Sequence, residues 1–148
     1  MRALLATALL AAALSACNRA PAEPRVIAED VIVTLPAVAG RPGAAYFELR
    51  TNRSPTTLVS VTSPLVQRIE LHQSMEHGMA KITSPEDLSF SGNGRLQFEP
   101  GGKHAMLFGI GKSVKPGDKI PLTFTFDPVP AITVDAEVRA PGDAGAAH

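Results

Sequence analysis

The sequence has no tryptophan, one tyrosine and one cysteine. A single tyrosine builds no aromatic platform for stacking bases or sugars. Lysine plus arginine number 14 and aspartate plus glutamate 14, so no surplus of one sign draws the chain to nucleic acid or anionic lipid. One cysteine excludes an intrachain disulfide and a Cys-based zinc site. No segment carries a convincing helical period, and no internal repeat is visible. Serine, histidine and aspartate are present, but nothing in their spacing suggests a catalytic triad, and an enzyme is not expected. At 148 residues there is room for one domain. The 13 prolines and 12 glycines suit short strands joined by turns.

The first residues read as a targeting segment. Arg2 is a short positive region, Ala3 to Ala13 is almost wholly apolar, and Leu14-Ser15-Ala16-Cys17 resembles the lipobox of bacterial lipoproteins. The apolar run is too short for an ordinary spanning helix. The expected organisation is a signal peptide over 1–16, a lipidated Cys17 with a polar tether over 17–25, a domain over 26–140, and an Ala/Gly-rich tail over 141–148. By analogy with such lipoproteins, Asn18 after the cysteine favours the outer membrane of a Gram-negative envelope, with the domain facing the periplasm.

Within the domain, β-branched or alternating runs predict strands near 26–35, 44–49, 57–62, 67–73, 95–99, 104–108, 120–126 and 132–138, with shorter ones near 78–83 and 88–91. Val59 and Val61 are expected on one face, and Ile69 and Leu71 inward with His72 on the polar face near a strand end. Gly92-Asn93-Gly94 reads as a hairpin turn. Eight or nine short strands at this spacing predict an antiparallel β-sandwich or small barrel.

Three of the four histidines and three of the four methionines fall between His72 and Met106. Imidazole and thioether suit copper, and thioether suits Cu(I) in particular. Strand residues two apart share a face about 6.5–7 Å apart, so His104 and Met106 can converge on one ion. Pro100-Gly101-Gly102 sets the start of their strand. His72 ends another strand, and Met75, His77 and Met79 lie on the connection after it.

Ala44-Ala45-Tyr46-Phe47-Glu48-Leu49, Leu58-Val59-Ser60-Val61-Thr62-Ser63-Pro64, Ile69-Glu70-Leu71-His72, Met75-Glu76-His77-Gly78, Leu96-Gln97-Phe98-Glu99-Pro100-Gly101-Gly102-Lys103-His104-Ala105-Met106-Leu107 and Gly117-Asp118 before Pro121-Leu122-Thr123-Phe124 together carry a resemblance. Over nearly the whole mature chain they resemble the periplasmic copper chaperone family PCu(A)C. The resemblance implies a cupredoxin-like β-barrel, Cu(I) held by two His and two Met, and delivery to the binuclear copper centre of cytochrome c oxidase or its assembly factors. It implies a monomeric carrier without catalysis. His72, His104 and Met106 match the family pattern; the family's remaining methionine falls on Ile82, which cannot bind copper. Met79 is the best replacement, then Met75, then His77; otherwise the site has three ligands. The segment from His72 to Gly78 is also about one residue shorter than the family pattern. Ile82 favours a rival reading, an envelope lipoprotein of the same fold with weakened or lost copper binding, serving as an assembly or interaction factor. A blue-copper electron carrier would need a thiolate that the lipidated chain lacks.

Overall fold

The computed structural model describes residue 23 and residues 25–53, 55–92 and 94–143. The lipobox, Cys17, Asn18 and His148 lie outside them. Ten strands run in chain order: β1 Val26–Thr34, β2 Gly43–Thr51, β3 Thr56–Thr62, β4 Val66–Met75, β5 Gly78–Lys81, β6 Ser89–Phe90, β7 Arg95–Phe98, β8 Lys103–Ile110, β9 Lys119–Asp127 and β10 Ile132–Arg139. A short 3-10 turn, Pro85–Leu88, lies between β5 and β6. The expected eight or nine strands become ten because short β5 and β6 both pair.

The strands form one ladder in the order β5-β4-β8-β2-β1-β10-β9-β3-β6, with β7 also on β2. The ladder folds over on itself. Phe47 of β2 stacks on Phe98 of β7 at 4.4 Å and meets Phe124 of β9 edge-on at 4.9 Å. β2 and β9 stand three steps apart along the ladder, so only a closed-over sheet brings those rings together. The result is the expected cupredoxin-like β-sandwich, antiparallel except for β1 beside β10, which run parallel. Alternation holds the core: Ala45, Phe47 and Leu49 of β2 and Ile120, Leu122 and Phe124 of β9 are almost wholly buried.

Three local expectations are corrected. Val59 is exposed while Val61 is buried, because β3 bulges between Leu58 and Ser60 and the extra residue turns Val59 outward. Gly92-Asn93-Gly94 does not close a hairpin, since β6 pairs β3 whereas β7 pairs β2; Asn93 itself lies outside the described residues. β4 does not stop near His72 but continues to Met75, and a two-residue connection, Glu76-His77, leads into β5.

Phe47 touches two rings, so Phe47→Ala is expected to cost about 3–5 kcal/mol. Val59→Ala, on the exposed bulge, is expected to stay within about 0.5 kcal/mol. Urea denaturation of both variants checks the pair, and equal losses would contradict this assignment of the core.

Candidate metal centre

β4 and β8 are antiparallel neighbours, and their register sets His72 directly opposite His104 and Glu70 opposite Met106. Directly paired residues share a face, as do residues two apart on one strand. Glu70, His72 and Ser74 of β4 therefore lie on one face with His104 and Met106 of β8. Leu71, Ala105 and Leu107 occupy the other face and are buried in the core. On the outer side of β4, the β5 register places Met79 opposite Ser74 and Lys81 opposite His72. Met79 thus stands on the same face as both histidines.

The imidazole rings of His72 and His104 lie 6.0 Å apart, centroid to centroid, tilted by 34°. Two imidazoles on one ion at a metal–nitrogen distance near 2.0 Å have centroids at most ~6.3 Å apart, so the pair is spaced for a shared ion. His72 was expected on the polar face, and it stands there, on the face away from Leu71. Its side chain is only 13% exposed, and His104 is 8% exposed, because β5 extends the sheet past β4.

Each ring is oriented by an acceptor. His104 Nδ1 lies 3.1 Å from the Gly102 carbonyl, and His72 Nε2 lies 3.1 Å from Glu70 Oε2. A carbonyl or a carboxylate only accepts, so those nitrogens carry the N–H. In the neutral rings the lone pairs then sit on His104 Nε2 and His72 Nδ1. His72 Nδ1 is buried and has no hydrogen-bond partner. A buried nitrogen with a free lone pair fits a metal ligand, and outer-sphere acceptors of this kind commonly orient ligating histidines. Glu70 was not singled out from sequence, although its position two residues before His72 on an alternating strand would have placed it. The His72 hydrogen bond, aided by Arg68 and Lys81, holds its carboxyl below the ordinary carboxylate range, against the opposing effect of burial.

In front of His104 lies an open cavity of about 320 Å³. His104, Met106, Met79 and Ser74 line one side; Thr34, Leu35, Pro42, Gly43, Ala44, Tyr46 and Gly101 line the rest. His72 lies beside His104 rather than on the cavity wall. The space exists because small residues face the large ligands: Ala44 of β2 is paired with Met106. Thr34 Oγ1 is buried there without a partner, and burial raises the Tyr46 phenol above its ordinary pKa. Gly101, at φ 82, turns the chain from β7 into β8 and delivers His104 to the cavity edge.

The other sequence candidates separate clearly. Met75, three residues from His72, belongs to the opposite face and is 62% exposed. His77 is an exposed turn residue. Ile82 donates its backbone N–H to the Leu71 carbonyl and packs against the core, away from the histidines. Among the described residues no three His, Cys, Asp or Glu side chains gather to hold a metal. The cavity sets the thioethers of Met79 and Met106 beside His104, a soft and neutral group of side chains.

A family model of LpqE-like lipoproteins matches residues 26–138. The chain belongs to this LpqE-like family. The match runs from the first residue of β1 to the penultimate residue of β10, and its lipoprotein description agrees with the PCuAC lipoprotein expected from the sequence. Solved structures with the same fold include the apo PCuAC domain of PmoF2, 22% identical, covering 80% of this chain and 93% of that one at a TM-score of 0.67. The copper-bound PmoF2 domain is 21% identical, with 78% and 93% covered and a TM-score of 0.61. The Cu(I) form of DR1885 from Deinococcus radiodurans is 25% identical, with 77% and 76% covered and a TM-score of 0.58. Protein RP573 of Rickettsia prowazekii is 34% identical over 89 residues, 57% of this LpqE-like chain; the match spans about half, 48%, of RP573.

Gly43 allows the close approach on which the cavity rim depends. A Cβ there would lie 2.7 Å from both the Thr34 backbone oxygen and Ile110 Cδ1. Gly43→Ala is expected to cost about 1–3 kcal/mol by forcing β1 from β2, measured as a lower urea midpoint; an unchanged midpoint would show that the rim yields freely.

Proposed function

We propose that this LpqE-like domain carries one Cu(I) in the cleft between β4, β5 and β8 and hands it to an acceptor protein. The observation that carries the reading is the convergence of Met79, His104 and Met106 on one cavity beside His72, whose buried Nδ1 lacks a partner. Two imidazoles and two thioethers match the preference of Cu(I) for soft, neutral ligands. Met79 takes the place of the family methionine, because Ile82 is committed to the core. The copper-bound PCuAC structures support the same cargo.

Carriage of this kind needs no acid, base or nucleophile. The histidines are nearly buried and stay in place, whereas Met79 is 56% exposed on the open side. An incoming acceptor supplies its own soft ligand as Met79 leaves, so the ion passes between proteins without being released to water. We assign the binuclear copper centre of cytochrome c oxidase, or a factor that assembles it, as the acceptor. This rests on the family resemblance. Lipidation at Cys17 would hold the carrier as a monomer at the envelope membrane, the outer one by the Asn18 signal, with residues 18–25 as tether. The family's lipoprotein description supports an envelope location. Among the described residues no helix is long and apolar enough to cross a membrane.

A competitive Cu(I) titration tests the reading. One-to-one binding is expected, weakened at least tenfold, about 1.4 kcal/mol, by each of Met79→Ala, Met106→Ala and His104→Ala, and unaffected by Met75→Ala. Tight binding indifferent to Met79→Ala would remove Met79 and leave a three-ligand site. Failure to compete with a mild chelator would sink the carrier and favour a family fold retained as an assembly factor.

A further inference from the structure

His72 is gripped more elaborately than a metal ligand alone requires. Its Nε2 faces Glu70 Oε2, and Glu70 is itself held from two sides. Arg68 Nη1 and Lys81 Nζ each lie 3.4 Å from Glu70 Oε1. Arg68 is fixed in turn, with its guanidinium 4.3 Å from the centroid of Phe108, its cross-strand partner. Lys81 reaches Glu70 from β5, where it pairs with His72. One carboxylate oxygen is thus committed to two cations and the other to the imidazole. A carboxylate so placed is held against swinging away to leave Nε2 available to an ion. The ring nitrogen left over, Nδ1, is the buried one without a partner.

We infer that Glu70 is a positioning residue that locks His72 with its proton on Nε2, so that His72 binds metal through Nδ1 while His104 binds through Nε2. This inference rests on the copper-carrier reading for its ligand and on the Arg68–Glu70–Lys81 geometry for its direction. The two histidines are not equivalent. His104 takes its orientation from a backbone carbonyl, which no substitution at Gly102 removes. His72 takes its orientation from a side chain that Arg68 and Lys81 hold. The asymmetry makes the ring orientation of His72, and not that of His104, open to change by substituting the residue that orients it.

Nitrogen-15 NMR of the full chain labelled at histidine reads the proton position directly. In the copper-free protein His72 is expected as the Nε2–H form and His104 as the Nδ1–H form, with exposed His77 as an unrestrained reference. Adding Cu(I) should shift His72 Nδ1 and His104 Nε2. Glu70→Ala should mix the His72 tautomers, leave the His104 signature unchanged as a control for folding, and weaken Cu(I) binding about 10–100-fold. Glu70→Gln keeps an acceptor oxygen in place and should restore most of the tautomer preference. His72 protonated on Nδ1 in the unaltered protein, or Cu(I) shifting His72 Nε2, would overturn the inference. So would a Glu70→Ala protein with unchanged tautomer and affinity. If Cu(I) shifts neither histidine, the carrier reading fails, while the copper-free spectrum still decides whether Glu70 sets the tautomer.

Discussion

Everything at this centre depends on the register between β4 and β8. A shift of one residue would exchange the faces of β8, sending His104 and Met106 into the core and turning Ala105 and Leu107 outward. The core prevents the shift: Leu71 is 8% exposed on β4, and Ala105 and Leu107 are at 0% on β8. Exposing Leu107 alone would cost roughly 1.5–3 kcal/mol, and burying the His104 ring among those side chains would cost more. The hydrophobic packing on one face therefore sets the geometry of the candidate metal centre on the other. The glycine turn before β8 adds to this by fixing where the strand begins. Gly102 donates its N–H to the Glu99 carbonyl, and Ser74 donates to the Gly102 carbonyl, so turn and register are pinned together.

That coupling explains what could be read from the chain. His104 and Met106 were legible because a two-residue spacing on a strand is local, and alternation around Ala105 reports it. Their pairing with His72 followed from the family pattern alone, since strand order is set by contacts far apart in sequence. The parallel β1–β10 pairing and the separate partners of β6 and β7 were hidden for the same reason. Val59 was misplaced because a bulge leaves no mark in a run of β-branched residues.

The proposed fourth ligand shows the limit from the other side. Counting from His104 leads to Ile82, but β5 has a fixed pairing to β4, and that pairing sends position 82 to the core face. Position 79 shares the face of His72 through its pairing with Ser74. A two-residue connection after Met75 makes this so: lengthening it by one residue would invert the face of every residue on β5. The proposed ligand at position 79 therefore rests on the β4–β5 pairing and not on its distance from His104 in the sequence.

The four proposed ligands also differ in how firmly the fold holds them. His72, His104 and Met106 stand on β4 and β8, which pair along seven consecutive or near-consecutive positions from Val66–Ile110 to Gln73–Lys103. Met79 stands on a four-residue strand at the end of the ladder, with every residue exposed and β4 as its partner in the sheet. A short, solvent-exposed edge strand opens at far lower free energy than the core strands. In the proposed carrier this gradient gives exchange a direction. Met79 yields first, Met106 remains half-buried behind it, and the two imidazoles hold the ion until the acceptor's ligands are in place.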